Sequence, residues 1–209
     1  RLIANNPGLI ERQLAAIAAA AATASCEAWV MAPMIATVTE AADFMALARA
    51  AGIETAGVMV EVPALALQAE RLVAVVDFVS IGTNDLSQYT FAADRLVGEL
   101  GELLDPWQPA VLELIARTAT AGREAGVPVG VCGEAASDPN LALVLAGLGC
   151  TSLSMSANAV AEVRAGLAAV TLAQCEELAA DALAAADGRE ARSRVLAALG
   201  DRAEAAPIP

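Results

Sequence analysis

Neither histidine nor lysine occurs in the 209 residues of this chain. Without an imidazole, no step that ends on histidine can be completed within it. Without lysine, all side-chain positive charge rests on 12 arginines against 25 acids, a formal net charge of −13. So acidic a balance argues against nucleic acid and anionic membrane surfaces as partners, and an anionic ligand would have to be drawn by local charge at its site. Long apolar runs are missing as well. The stretch Leu14 to Ala24 is mostly alanine, too short and too weakly hydrophobic to cross a bilayer, and reads as a helix started by Asn6 and Pro7. The amino terminus lacks the basic region that precedes the apolar segment of a signal peptide. Four cysteines at irregular spacing make no disulfide framework in a chain of this size. The natural compartment for such a sequence is the cytoplasm.

What is present is enough for a core: 57% of the residues are hydrophobic, and one domain is the default. Short β-branched runs alternate with helical periodicity in the βα order of a parallel barrel. Strands are expected near Ala28 to Met31, Ala56 to Val60, Phe78 to Ile81, Pro128 to Val131 and Thr151 to Met155. Helices are expected over Thr37 to Ala51, Ala64 to Val75 and Pro109 to Ala125, the last stopped by Gly126. Beyond Leu172 the chain turns rich in Ala, Glu and Arg, with Leu178, Leu183, Val195 and Leu199 as packing positions. Asp201 to Pro209 are expected to fray. Trp29 is expected in the core, and Trp107 near the rim of a loop.

The segment Val76 to Arg95 is the most informative. An apolar run, Phe78 to Ile81, ends at Gly82 and empties into Thr83, Asn84 and Asp85 before a helical continuation. In parallel barrels, polar residues at the carboxyl ends of strands line the active site. Taken alone, Asn84 and Asp85 could equally cap a helix. A second carboxylate on a second strand favours the site: Gly57 to Val60 end at Glu61, and Pro63 then stops the ladder and starts a helix. If the two strands are parallel neighbours, Glu61 and Asp85 converge on one mouth of the sheet. Two hard oxygen ligands with room for waters suit Mg²⁺, although the same ligands suit Mn²⁺. A third strand end, Val127 to Val131, places Cys132, Gly133 and Glu134 in line with them. A lone cysteine is commonly a small buried hydrophobe, but this setting favours a functional thiol. Cys26, Cys150 and Cys175 lack such a context, and Cys150 is expected to pack under a turn.

The segments GVMVEVPA, VDFVSIGTNDLSQYTFAADR, PVGVCGEAASDP and LGCTSLSMSANAVAEVR together resemble the C-terminal phosphoenolpyruvate-binding barrel of Enzyme I of the bacterial sugar phosphotransferase system. The same barrel occurs in pyruvate phosphate dikinase and phosphoenolpyruvate synthase. The likeness runs from about Arg1 to Arg194 and agrees in the order and spacing of separate motifs. It implies that Glu61 and Asp85 hold Mg²⁺, that Asn84, Asp85 and Arg95 contact phosphoenolpyruvate, and that Cys132 is the proton donor. Arg95 offers a planar fork to phosphate or carboxylate, and a free thiol is mostly protonated near neutral pH. The implied reaction splits phosphoenolpyruvate into a phosphoryl group and an enolate, which Cys132 protonates to pyruvate.

A full barrel needs eight strands and about 250 residues. The expected fold class is therefore α/β, a parallel (β/α)8 TIM-type barrel that is incomplete, with about the last five βα units in residues 1–200 and a frayed tail at 201–209. The resemblance implies upstream strands with two further phosphate-binding arginines; Arg1 resembles the second arginine of the third-strand motif. It also implies an acceptor histidine on a separate N-terminal domain, which a phosphocarrier protein would meet, and a homodimer. Three readings stay open: a phosphoenolpyruvate-protein phosphotransferase, a dikinase or synthase, and a noncatalytic dimerisation remnant.

Overall fold

The computed structural model describes residue 6 and residues 8–205. The expectations for Arg1, for Pro7 as a helix start and for the tail beyond residue 205 lie outside the described residues. Helix α1 (Gly8–Ala21) leads into strand β1 (Trp29–Ala32), α2 (Val38–Ala50), β2 (Thr55–Val60) and the short helices α3 (Pro63–Ala66) and α4 (Ala69–Leu72). Strand β3 (Phe78–Gly82), α5 (Thr83–Thr90), α6 (Pro109–Ala125), β4 (Val129–Cys132), α7 (Pro139–Gly147) and β5 (Ser152–Ser154) follow. The chain then turns fully helical, with α8 (Val160–Ala168), α9 (Leu172–Leu183) and α10 (Gly188–Ala205). Among the described residues, no helix is long and apolar enough to cross a membrane.

The strands form a five-stranded sheet in the order β1-β2-β3-β4-β5, with every neighbouring pair parallel. Sequential order with helical crossovers is the arrangement of a TIM-type barrel wall, as expected, and the sheet is open rather than closed. Its two faces differ in chemistry. Ala56, Val58, Val60, Val79, Ile81, Val129 and Val131 point to the helices and are essentially inaccessible. Residues on the other face fall into rows set by the register. Met31, Gly57 and Phe78 share one row, then Met59, Ser80, Gly130 and Ser152, and then Gly82, Cys132 and Ser154 at the carboxyl edge. Small and polar residues dominate the upper two rows, which leaves a concave face near the site.

Local sequence explains the elements. Thr37 and Glu40 make a capping box at the start of α2, each side chain taking up a backbone N–H of the other's end. Gly126 closes α6 in the left-handed conformation (φ 71°), as its position predicts. The single helix expected over Ala64 to Val75 is broken: Gln68 leaves the helical region (φ −113°, ψ 23°). Leu65 and Ala66 before the break and Ala69 and Leu72 after it are all buried, so both short helices keep their apolar residues inward.

The two tryptophans exchange the environments expected of them. Trp29 is 55% exposed, because it lies on the edge strand β1, its ring tilted by 37° against that of Phe78 with centroids 5.0 Å apart. Trp107 is fully buried, since its indole N–H finds a carboxylate partner, Asp138 Oδ2, at 3.1 Å. Burial pushes the Cys150 thiol up to about 12, in keeping with a packed, unreactive sulfur.

Candidate functional site

The carboxyl edge of β2, β3 and β4 gathers the sequence-selected residues. Val60 pairs with Ile81, so Glu61, the next residue, stands level with Gly82 and Cys132. Asp85 does not share that row; it lies one turn higher, in the first turn of α5. The N-cap of α5 is Gly82 and no side chain caps it, so neither Asn84 nor Asp85 is used up as a cap. Cys132 is the last residue of β4 rather than the first beyond it.

Glu61 is buried at 3% exposure, and its Oε1 accepts the backbone N–H of Met34 at 2.7 Å. Burial raises its pKa first, against the Met34 hydrogen bond, and the Asp85 carboxylate raises it further while Arg95 lowers it. Those last two influences place Glu61, Asp85 and Arg95 within electrostatic reach of one another. Asp85 Oδ2 lies 3.7 Å from Arg95 Nη1. Arg95 hangs on the segment after α5, held by its backbone N–H to Gln88 Oε1 at 3.1 Å, and its side chain is about half exposed. Its guanidinium therefore stays open to an incoming anion.

Cys132 is half-buried, and its Sγ donates to the Ile81 carbonyl at 3.4 Å. Thr83 Oγ1 donates to the Cys132 carbonyl at 3.3 Å, tying the start of α5 to the end of β4. Gly133 adopts φ 89°, and a Cβ there would come within 3.5 Å of Asn84 Oδ1, so the Cys132 turn lies against the Asn84 side chain. Gly82 is required for a different reason: a Cβ would come within 2.9 Å of Glu61 Oε2 and of Met59 Sδ. The bare backbone leaves the Glu61 carboxylate its space. Asn84 is exposed on the same turn.

Sequence reasoning passed over Met34 and Thr83. Thr83 belongs to the Thr-Asn-Asp turn, where its burial and its bond to Cys132 had only its neighbours as a signal. Met34, with φ 56°, acts through its backbone N–H on a residue 27 positions away, and nothing in its identity announces that.

Two hard carboxylate oxygens, one buried with its pKa raised by desolvation and by a like charge, fit a divalent cation such as Mg²⁺. Among the described residues no group of three or more His, Cys, Asp or Glu side chains could hold a metal ion. The remaining coordination would fall to water and substrate oxygens, which is the usual habit of Mg²⁺.

The sequence family described as the PEP-binding domain of PEP-utilising enzymes matches residues 1–172. The phosphoenolpyruvate-protein phosphotransferase of Streptomyces coelicolor is 50% identical over 95% of this chain and 36% of its own length. That of Haloferax volcanii is 41% identical over 86% of this chain and 34% of its own. A multiphosphoryl transfer protein of Rhodobacter capsulatus is 39% identical over 92% of this chain and 24% of its own. The chain thus spans about a third or less of the length of these relatives. A citrate lyase of Burkholderia xenovorans shares the fold, with a TM-score of 0.55 at 18% identity over 95% of this chain and 70% of that one. By the family match over residues 1–172 and these identities, the chain belongs to the PEP-binding domain family of PEP-utilising enzymes.

Proposed function

We propose that this chain is the phosphoenolpyruvate-binding part of a phosphoenolpyruvate-protein phosphotransferase. The observation that carries the reading is the convergence of a buried glutamate, an Asp85–Arg95 pair and a half-buried thiol on one edge of a parallel sheet. The names of the similar proteins support it. The chain has no histidine, so the phosphoryl acceptor lies on another domain, from which the group passes to a phosphocarrier protein. The same reading makes the protein cytoplasmic, homodimeric and part of sugar transport, with residues 1–200 acting as a single unit.

Glu61 and Asp85 would hold Mg²⁺, which when bound supplies neutralising charge for the phosphate and carboxylate oxygens of the substrate. Arg95 presents a planar pair of N–H donors to one of those groups, and its contact with Asp85 keeps it pointed at the mouth. Asn84 and the uncapped amino end of α5 add donors for an anion on the same side. Positioning and charge neutralisation are the main requirements of phosphoryl transfer, and these residues provide both. Loss of the phosphoryl group leaves an enolate whose carbon needs a proton. The Cys132 thiol, now donating only to the Ile81 carbonyl across 3.4 Å, is the group placed to give it.

In the longer protein that this reading requires, Cys132→Ala keeps phosphoenolpyruvate affinity and slows pyruvate formation by roughly 100-fold or more. Steady-state pyruvate release, coupled to a binding titration, checks this. Turnover at the wild-type rate would remove Cys132 from the chemistry.

A further inference from the structure

A cluster outside the candidate site joins the two loops that serve it. The segment carrying Arg95 runs from the end of α5 to Pro109 at the start of α6, with a single 3-10 turn at Gly98–Leu100. Its far end is fixed by Trp107, which is fully buried. The segment after Cys132 runs to Asp138, where α7 begins. Asp138 uses its two oxygens differently. Oδ1 accepts the backbone N–H groups of Asn140 and Leu141 at 2.9 and 3.2 Å, and Oδ2 accepts the Trp107 indole N–H at 3.1 Å. One carboxylate therefore fastens the Arg95 loop to the Cys132 loop.

Helix α10 closes the cluster from outside. Arg192 Nη2 lies 3.8 Å from Asp105 Oδ1 and 3.7 Å from Asp138 Oδ2, so one cation faces an acid of each loop. Its guanidinium carbon sits 5.3 Å from the centre of the Trp107 ring. Gly188, at the start of α10, lets that helix rest on the loop backbone, because a Cβ there would be 3.2 Å from Gln108 N. Asp105 Oδ1 also accepts the backbone N–H of Trp107 at 3.0 Å, so the loop is braced locally as well.

We propose that Trp107, Asp138 and Arg192 form a clamp that sets the position of Arg95 relative to Cys132, and are positioning residues for the reaction. The claim rests on the proposed function. Small displacements of reacting groups are costly in rate, so a clamp remote from the substrate can still govern turnover.

The test compares Arg192→Leu, Trp107→Phe and Arg192→Lys with the wild type in the longer protein. Arg192 is half exposed, so its leucine variant leaves the core intact even if the tryptophan variant folds poorly. In Arg192→Leu, tryptic cleavage after Arg95 and alkylation of Cys132, both followed by peptide mass, speed up while the thermal midpoint holds. In that variant kcat/KM for pyruvate formation falls roughly tenfold, and Arg192→Lys recovers most of it. Cleavage and alkylation rates equal to wild type would overturn the clamp. Loosened loops at an unchanged kcat/KM would overturn the positioning role. A wild-type protein that makes no pyruvate would overturn the functional reading and the positioning role with it, while cleavage and alkylation would still decide whether the three residues join the loops.

Discussion

A carboxylate buried beside a second carboxylate is unfavourable unless something neutralises it, and Glu61 is in that position. Its pKa is raised in the fold, so between the unfolded and folded values the native state binds more protons than the unfolded chain. Stability from this group is therefore present at low pH and is lost as pH rises through that window. Glu61→Gln keeps an oxygen for the Met34 N–H and removes the charge. Without divalent ions the variant melts at a higher temperature than wild type at neutral pH, and the difference shrinks as pH falls through the ordinary carboxylate range. Adding Mg²⁺ raises the wild-type midpoint and leaves the variant unmoved. Melting curves across pH check both statements, and equal pH slopes for the two proteins would contradict them. At this scale Glu61, Asp85 and Cys132 were legible as candidates because an apolar run ending in polar residues is a local pattern, whereas Arg95 entered through the family resemblance. Met34 was silent, since its contribution is a backbone N–H whose direction depends on a positive φ that methionine does not advertise.

Helices pack here at the limit of backbone approach. Gly147, the last residue of α7, has no room for a side chain: a Cβ would overlap the carbonyl of Cys175 in α9. Gly147→Ala must push the two helices apart and costs about 1–3 kcal/mol by the usual scale of overpacking. Urea denaturation followed by circular dichroism would show a lower midpoint at an unchanged slope, and a wild-type midpoint would contradict the close approach. Element type was legible wherever periodicity and punctuation agreed, as in α6 between Pro109 and Gly126. It failed at Gln68, which leaves the helical region although the apolar residues on both sides of it keep helical spacing. Trp29 and Trp107 were misplaced because hydrophobicity gives no sheet face and no hydrogen-bond partner. Only the fold supplies Asp138 to one and a bare edge strand to the other.

Over the whole molecule, the sheet is covered on its helix side, and its other face is exposed at the edge strands while Phe78 and Ser80 in the middle stay buried. Met31 on β1 is 43% exposed, and Ser152 and Ser154 on β5 are exposed as well. Parallel order could be foreseen from the alternation of strands and helices, whereas the rows of small residues on the concave face emerge only from the register. With a net charge of −13, the molecule repels anions at long range, and under the proposed function affinity for one would rest on Arg95 and a bound cation at the mouth. Under the proposed function, substrate binding needs the metal that Glu61 and Asp85 would hold. Calorimetric titration of phosphoenolpyruvate into the longer protein, with and without Mg²⁺, measures this directly. The account predicts heat of binding only with Mg²⁺ and its loss in Glu61→Gln; binding of equal strength without Mg²⁺, undiminished in that variant, would contradict it.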